Sequence, residues 1–181
     1  MKALKLQRIN IIGTSGVGKS TFAKRLSQKL NQQYIELDSL YWKPHWKEST
    51  EQEFHQKIEL ALAPQAWILD GNYQKTEKLK WKYVQTVIWI DYSYQRVLFQ
   101  ATKRAIYRMI TRKELWPNTN NRETFIKTFL SKDSIILWTL KTYHKNKKRY
   151  ESIMQNPDYS HINFVRIKHP KEAEQFLNNL P

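Results

Sequence analysis

Five apolar runs are spread along this chain, separated by stretches in which apolar residues recur every third or fourth position. The first is carried by Leu4, Leu6, Ile9, Ile11 and Ile12 and closes at Gly13. The others are Tyr34 to Asp38, Ala66 to Gly71, Val84 to Asp91, and Ile162 to Lys168. Short and bounded by turn residues, these runs predict buried strands. Between them, Phe22, Ala23, Leu26 and Leu30 mark one helix, and Phe54, Ile58, Ala61 and Leu62 a second. A third carries Val97, Leu98, Ala101, Ala105 and Met109 inward from Tyr94; a fourth carries Ile136, Leu140 and Tyr143; the last carries Ala173, Phe176, Leu177 and Leu180. Strands alternating with helices predict an α/β fold of three layers, a parallel sheet covered on both faces. The pattern does not fix the strand order.

Local signals sharpen several boundaries. Thr50-Glu51-Gln52-Glu53 reads as a capping box that starts the second helix, and Pro64 stops it. Pro170, after His169, suits the first position of the closing helix. Two segments escape any period. Ser39 to Trp46 is aromatic and interrupted by Pro44, so it reads as a loop or short helix lining a cleft, within an insertion at about 39–63. Lys113 to Asn121 breaks the pattern around Trp116-Pro117, making about 111–123 the candidate lid. Asn120 and Glu123 frame a further helix start that carries Arg122 at the lid's base, with Phe125 and Phe129 as anchors and a fresh cap at 131–134. Residues 1–181 read as a single domain.

The chemistry concentrates at Gly13-Thr14-Ser15-Gly16-Val17-Gly18-Lys19-Ser20-Thr21, which matches the phosphate-binding pattern GxxxxGK[ST] at every position. Glycines let the backbone turn so that successive N–H groups point at phosphate oxygens, and the following helix adds the positive end of its dipole. Lys19 supplies a cation for the outer phosphates, and the Ser20 hydroxyl is placed to ligate a Mg2+ ion bridging them. The context of strand, loop and helix is the one this motif needs. Three strand-like runs end on acids: Asp38, Asp70 and Asp91. Carboxyl ends of parallel strands are where ligands bind in open sheets. Asp70, before Gly71, is the expected second partner of the magnesium ion, directly or through water. Arg104, Arg108 and Arg112 repeat every fourth residue on one helix face, where guanidinium groups can hold phosphate oxygens or stack on a base.

Composition narrows the partners. The chain has 181 residues, with 31 Lys and Arg against 16 Asp and Glu, a formal net charge of +15. Its natural partners are therefore anions, nucleotide phosphates and nucleic acid among them. With 13% aromatic residues it could also stack bases. Lys141, Lys145, Lys147, Lys148 and Arg149 form the densest basic run. The absence of cysteine excludes thiolate metal sites and suits a cytoplasmic protein. Gln7, Arg8 and Asn10 interrupt the apolar core that a secretion signal needs, and no apolar run reaches membrane-spanning length.

Taken together, the loop, Leu37-Asp38-Ser39-Leu40-Tyr41-Trp42, Asp70-Gly71-Asn72-Tyr73 and the Arg104/Arg108 helix resemble the DNA topology modulation proteins, small P-loop relatives of adenylate kinase. The resemblance spans nearly the whole chain. It implies a nucleoside-monophosphate-kinase fold with sheet order 2-3-1-4-5 and a lid after the fourth strand. It also implies roles. Gly13, Ser15, Gly16, Val17, Gly18, Lys19, Ser20, Thr21, Arg104 and His169 would bind the nucleotide, with Lys168 to Pro170 beside the base. Lys19, Asp38, Arg104 and Arg108 would be catalytic, and Asp38, Tyr41, Trp42, Asn72, Tyr73 and Arg122 would meet the acceptor. Two features depart from the relatives: Gln100 stands where another arginine is usual, and the adenylate-kinase signature Asp-Gly-Phe-Pro-Arg is missing its arginine, Asn72 and Tyr73 standing in its place, which argues against AMP as acceptor. The expected activity is phosphoryl transfer from ATP or another nucleoside triphosphate, with Mg2+, to a small molecule. The alternatives are a nucleic-acid-binding protein, using the basic surface and regulated by ATP, and a slow NTPase.

Overall fold

The computed structural model describes residues 4–111, 114–116, 119–121 and 135–180. Arg112, Arg122, Phe125, Phe129, the cap at 131–134 and part of the candidate lid lie outside them, as do the side chains of Met109, Ile136 and Leu140. Five parallel strands, β1 (Arg8–Gly13), β2 (Gln33–Glu36), β3 (Trp67–Asp70), β4 (Thr86–Ile90) and β5 (Asn163–Ile167), form one sheet in the order β2-β3-β1-β4-β5. That is the 2-3-1-4-5 order expected. Parallel neighbours require crossovers, and helices α1 (Lys19–Leu30), α3 (Glu51–Ala61), α5 (Tyr94–Thr111), α6 (Ile135–Met154) and α7 (Pro170–Asn178) supply them or close the chain. Two five-residue helices, α2 (Leu37–Tyr41) and α4 (Glu77–Trp81), are the other α-helices among the described residues.

The alternation of side chains along each strand divides the core into two. Ile9, Ile11, Ile68, Ile88, Ile90 and Ile167 face Phe22, Ala23 and Leu26 of α1 and Ala173 and Leu177 of α7. Ile12, Trp67, Leu69, Val87 and Trp89 face Phe54 and Ile58 of α3, with Trp81 and Tyr150. The Thr50–Glu53 capping box forms as expected, with Glu53 N–H donating to Thr50 Oγ1 at 3.2 Å and Thr50 N–H to Glu53 Oε2 at 2.8 Å.

The second apolar run does not stay extended to Asp38. Strand β2 is an edge strand whose last register pair is Glu36 with Asp70, where β3 ends. Beyond Glu36 no ladder is left to satisfy, and the Ser39 hydroxyl donates to the Glu36 carbonyl at 2.7 Å, so the chain turns into α2 with Asp38 in its first turn. The Ser39–Trp46 stretch then resolves into α2 and a two-residue ladder, Trp42–Lys43 antiparallel to Lys47–Glu48. The third strand-end acid also separates from the others. Asp91 is held by Arg166 at 2.6 and 2.9 Å and has Lys147 at 3.8 Å, so it belongs to a structural ion pair.

Candidate active site

The phosphate loop leaves β1 at Gly13 and enters α1 through Gly18, whose left-handed conformation gives the helix no side-chain cap. The first-turn amides of α1 therefore have no protein side chain assigned to them. That turn carries Lys19 and no acid, the reverse of what a helix dipole favours for its own stability. An N-terminus built this way is suited to an anion. Gly16, at φ 84°, is pressed against α5: a Cβ there would lie 2.7 Å from the Ala101 side chain. The loop thus takes its shape from backbone conformation and close contact.

Lys19 Nζ bonds to the Thr14 carbonyl at 3.2 Å. Burial pulls its pKa down, the carboxylates of Asp70 and Asp38 push it back up, and Arg104 lowers it again. One basic centre therefore senses two acids and an arginine from three different elements. Arg104, half-buried on α5, donates from Nη2 to Ser15 Oγ at 3.3 Å, placing a guanidinium on the loop. Arg108 lies one turn further along the same helix, half-buried. Gln100, one turn before Arg104, has its Oε1 buried with no hydrogen-bond partner among the described residues. A cavity of about 730 Å³ runs along this face of α5 from Gln95 to Tyr107.

Asp70 is almost fully buried, at 4% exposure. Its Oδ2 accepts from the Tyr34 hydroxyl at 3.0 Å, while Oδ1 has no hydrogen-bond partner among the described residues. Burial raises its pKa, against the lowering effects of Lys19, the Ser20 hydroxyl and Tyr34. A buried carboxylate oxygen next to a hydroxyl is a hard donor pair of the kind Mg2+ takes, so Ser20 and Asp70 fit that ion. Tyr34 carried no signal beyond its place in an apolar run. The visible hint is the pair of polar residues Tyr34 and Glu36 on one face of a short strand.

Asp38 is exposed, and its Oδ1 accepts from the Tyr73 hydroxyl at 2.8 Å. Tyr73 adopts φ 26°, and His45 and Trp46 adopt 58° and 60° in the turn of the small ladder. Left-handed backbone costs of order 1–3 kcal/mol at such residues and is kept where a site needs it. Here it presents rings. Tyr41 meets Trp42, Phe54 and Tyr73, each at 5.1 Å between centroids, and Trp42 meets Trp46 at 5.5 Å. Trp46 in turn meets Trp116 at 6.1 Å. The described part of the candidate lid is tied to this wall. Asn121, fully buried, accepts from Trp46 N–H at 2.6 Å and donates to the Lys43 carbonyl at 3.0 Å.

Asn72 turns toward the loop instead of toward this wall. Its Oδ1 accepts from Gly13 N–H at 3.1 Å and its Nδ2 donates to Gly13 O at 2.8 Å. Beneath it, the fully buried Lys80 donates to the backbone carbonyl of Asn72 and, at 3.4 Å, to that of Tyr73. Burial lowers the Lys80 pKa to about 7, Glu77 opposing and Arg149 adding to the shift. His169 caps α7 through Nδ1, which accepts from Lys171 N–H at 3.2 Å, and it stands exposed beyond the carboxyl end of β5.

The comparisons place this architecture. The chain matches a gluconokinase from Sinorhizobium meliloti 1021 with a TM-score of 0.53 at 12% identity, over 96% of this chain and 88% of that one. It matches shikimate kinase from Bacteroides thetaiotaomicron at 0.54 and 13%, over 95% and 94%. Shikimate kinase from Acinetobacter baumannii, in complex with shikimate, gives 0.54 and 13% over 98% and 97%. The fold is that of the P-loop kinases. A family model described as RNA helicase matches residues 9–86, a span that holds the phosphate loop and β1 to β3 but neither α5 nor β5. No curated protein matches. The family expected from the resemblance, the DNA topology modulation proteins, is not shown by these matches. No helix among the described residues is long and apolar enough to cross a membrane.

Proposed function

We propose that this chain is a phosphotransferase that moves the γ-phosphoryl group of ATP, or another nucleoside triphosphate, to a hydroxyl of a small molecule. The observation that carries this reading is convergence on the anion-binding loop: Arg104 donates to Ser15 Oγ, Lys19 bonds to the Thr14 carbonyl, and Asp70 and Asp38 lie near enough to raise the Lys19 pKa. The loop amides and Lys19 would hold the phosphates, and Ser20 and Asp70 would hold a Mg2+ ion. That ion, when bound, would neutralise phosphate charge. Arg104 and Arg108 would stabilise the charge on the transferring group, and Asp38 would take the acceptor's proton as its oxygen bonds to phosphorus and ADP departs. His169 would flank the base.

Asn72 serves here as a clasp on the loop, so acceptor contact falls to Asp38, Tyr41, Trp42 and Tyr73. Arg122 lies outside the described residues. The test is Lys19→Ala, with MgATP affinity read by calorimetry and ADP formation followed in parallel. Affinity should fall at least tenfold, about 1.4 kcal/mol, and ADP formation should vanish. An unchanged affinity sinks the reading.

A further inference from the structure

The candidate acceptor wall closes on itself. The indole of Trp116 lies near enough to Glu36 to favour its ionised form. From Trp116 the contacts run through Trp46, Trp42, Tyr41 and Tyr73 to Asp38. Asp38 and Glu36 complete the ring. Glu36 and Asp70 are register partners on adjacent strands, an arrangement of like charges that costs stability. Burial raises the Glu36 pKa, and Asp70 and Asp38 raise it further.

Of the cations on this side, Lys24 acts on Glu36 and Lys19 on Asp38 through space, and two more are already bound. Lys43 is bound to Glu53 at 2.6 and 2.7 Å, and Lys57 is bound to the Leu40 carbonyl and Ser49 Oγ at 3.0 Å each. The sequence has no arginine between Arg25 and Arg96, a span that includes β2, α2, the small ladder, α3 and β3. Carboxylates and phosphates on a ligand are usually gripped by the guanidinium fork. A protein with net charge +15 has thus placed two carboxylates and a set of rings, and no arginine from this span, where its acceptor would sit.

We propose that the acceptor is a polyhydroxylated molecule without negative charge, a neutral sugar or polyol or its amine-bearing counterpart, held by Glu36 and Asp38 against Tyr41, Trp42, Trp46 and Tyr73. Its O–H or N–H donors meet the carboxylates, and its apolar or cationic face lies on the rings. In the transfer step one acceptor hydroxyl oxygen bonds to the γ-phosphorus, the bond from phosphorus to the bridging oxygen breaks, ADP leaves, and the proton passes to Asp38. The inference rests on the kinase reading, and its test separates the two.

The local potential can be read before any acceptor is known. Trp67, Trp81 and Trp89 are at most 2% exposed, so in a Trp138→Phe background collisional quenching reports Trp42, Trp46 and Trp116. At an ionic strength of about 0.15 M, screening over roughly 8 Å limits the reading to nearby charges. Caesium should quench more strongly than iodide, despite the positive net charge, and Glu36→Gln with Asp38→Asn should reverse the order. Stronger quenching by iodide overturns the proposal, whatever the Lys19→Ala result. In a second arm, ADP release with MgATP is measured against glucose, ribose, glycerol and glucosamine, and against gluconate, shikimate and AMP. Stimulation of at least tenfold by a member of the first group supports the proposal, and glucosamine against glucose tells the amine-bearing from the neutral source. Stimulation by the second group alone overturns it. Where neither group stimulates, the quenching order decides.

Discussion

On the α5 side of β1 the site is made from backbone: three glycines with positive φ, the open first turn of α1, and one close contact between Gly16 and Ala101. On the β2 side it is made from side chains: Tyr73 on Asp38, Tyr34 on Asp70, and a ring of aromatic contacts raised on strained backbone at His45, Trp46 and Tyr73. In the proposed reaction the first flank would take any polyphosphate, because amides and a lysine recognise charge and little else. The second is particular, since its shape depends on which rings and carboxylates are present. Under the proposed function, generality on one flank and specificity on the other would separate donor from acceptor.

Two glycines make the contrast breakable. An alanine at Gly16 meets both a positive φ and the Ala101 side chain at 2.7 Å, so Gly16→Ala should push the loop off α5. We expect the largest effect here: MgATP affinity lower by a hundredfold or more, ~2.7 kcal/mol, measured by calorimetry. Gly71, at φ 138°, faces Leu37, whose Cβ would lie 2.8 Å from an added methyl. Leu37 precedes Asp38, so Gly71→Ala should displace α2 from Tyr73. Acceptor-dependent ADP formation should fall roughly tenfold, about 1.4 kcal/mol of barrier, with MgATP affinity nearly kept. Equal loss of both properties in the two variants would show that the flanks are not separable.

The donor flank was legible in the sequence because its constraints are local: nine consecutive residues fix the loop, and the apolar periods on either side fix its strand and helix. The acceptor flank was only partly legible. Asp38 was legible as a strand-end acid and Tyr73 through resemblance, whereas their bond spans 35 positions and no local pattern encodes it. The same holds for Asn72 on Gly13, 59 positions apart, and for Asn121 on Lys43, 78 apart. Asp91 shows the converse problem. Its run ends on an acid just as those of Asp38 and Asp70 do, and only Arg166, on the neighbouring strand, assigns it to an ion pair. The early end of β2 follows from its edge position, which hydropathy does not reveal.

Lys80 joins the flanks, since it holds the carbonyls of both Asn72 and Tyr73. A lysine whose pKa is about 7 when folded and about 10.4 when unfolded keeps its proton in the unfolded chain across that interval. Stability should then rise with pH from about 7 to 10, the burial penalty being fully present below 7. Lys80→Met removes that slope and takes the donor from the Asn72 carbonyl, while the Tyr73 carbonyl keeps Thr76, at a cost of about 1–3 kcal/mol. Chemical denaturation at pH 7 and 9.5 should show the wild type gaining on the variant at the higher pH. A constant difference between them would mean that Lys80 keeps an ordinary pKa.

The smallest effect is expected from the surface that first suggested nucleic acid. Of the basic run on α6, Arg149 is drawn in to Glu77, and Lys147 lies 3.8 Å from Asp91, which leaves Lys141, Lys145 and Lys148 exposed. Three phosphate contacts would give a log–log salt slope no steeper than about −3, a weak and non-specific attachment at physiological salt. Charge reversal with Lys145→Glu and Lys148→Glu should therefore leave MgATP affinity within about twofold, since screening confines these charges to their own neighbourhood. A tenfold loss of MgATP affinity in that variant would make the basic face part of the donor flank, and the division between a backbone-built side and a side-chain-built side would have to be redrawn to include it.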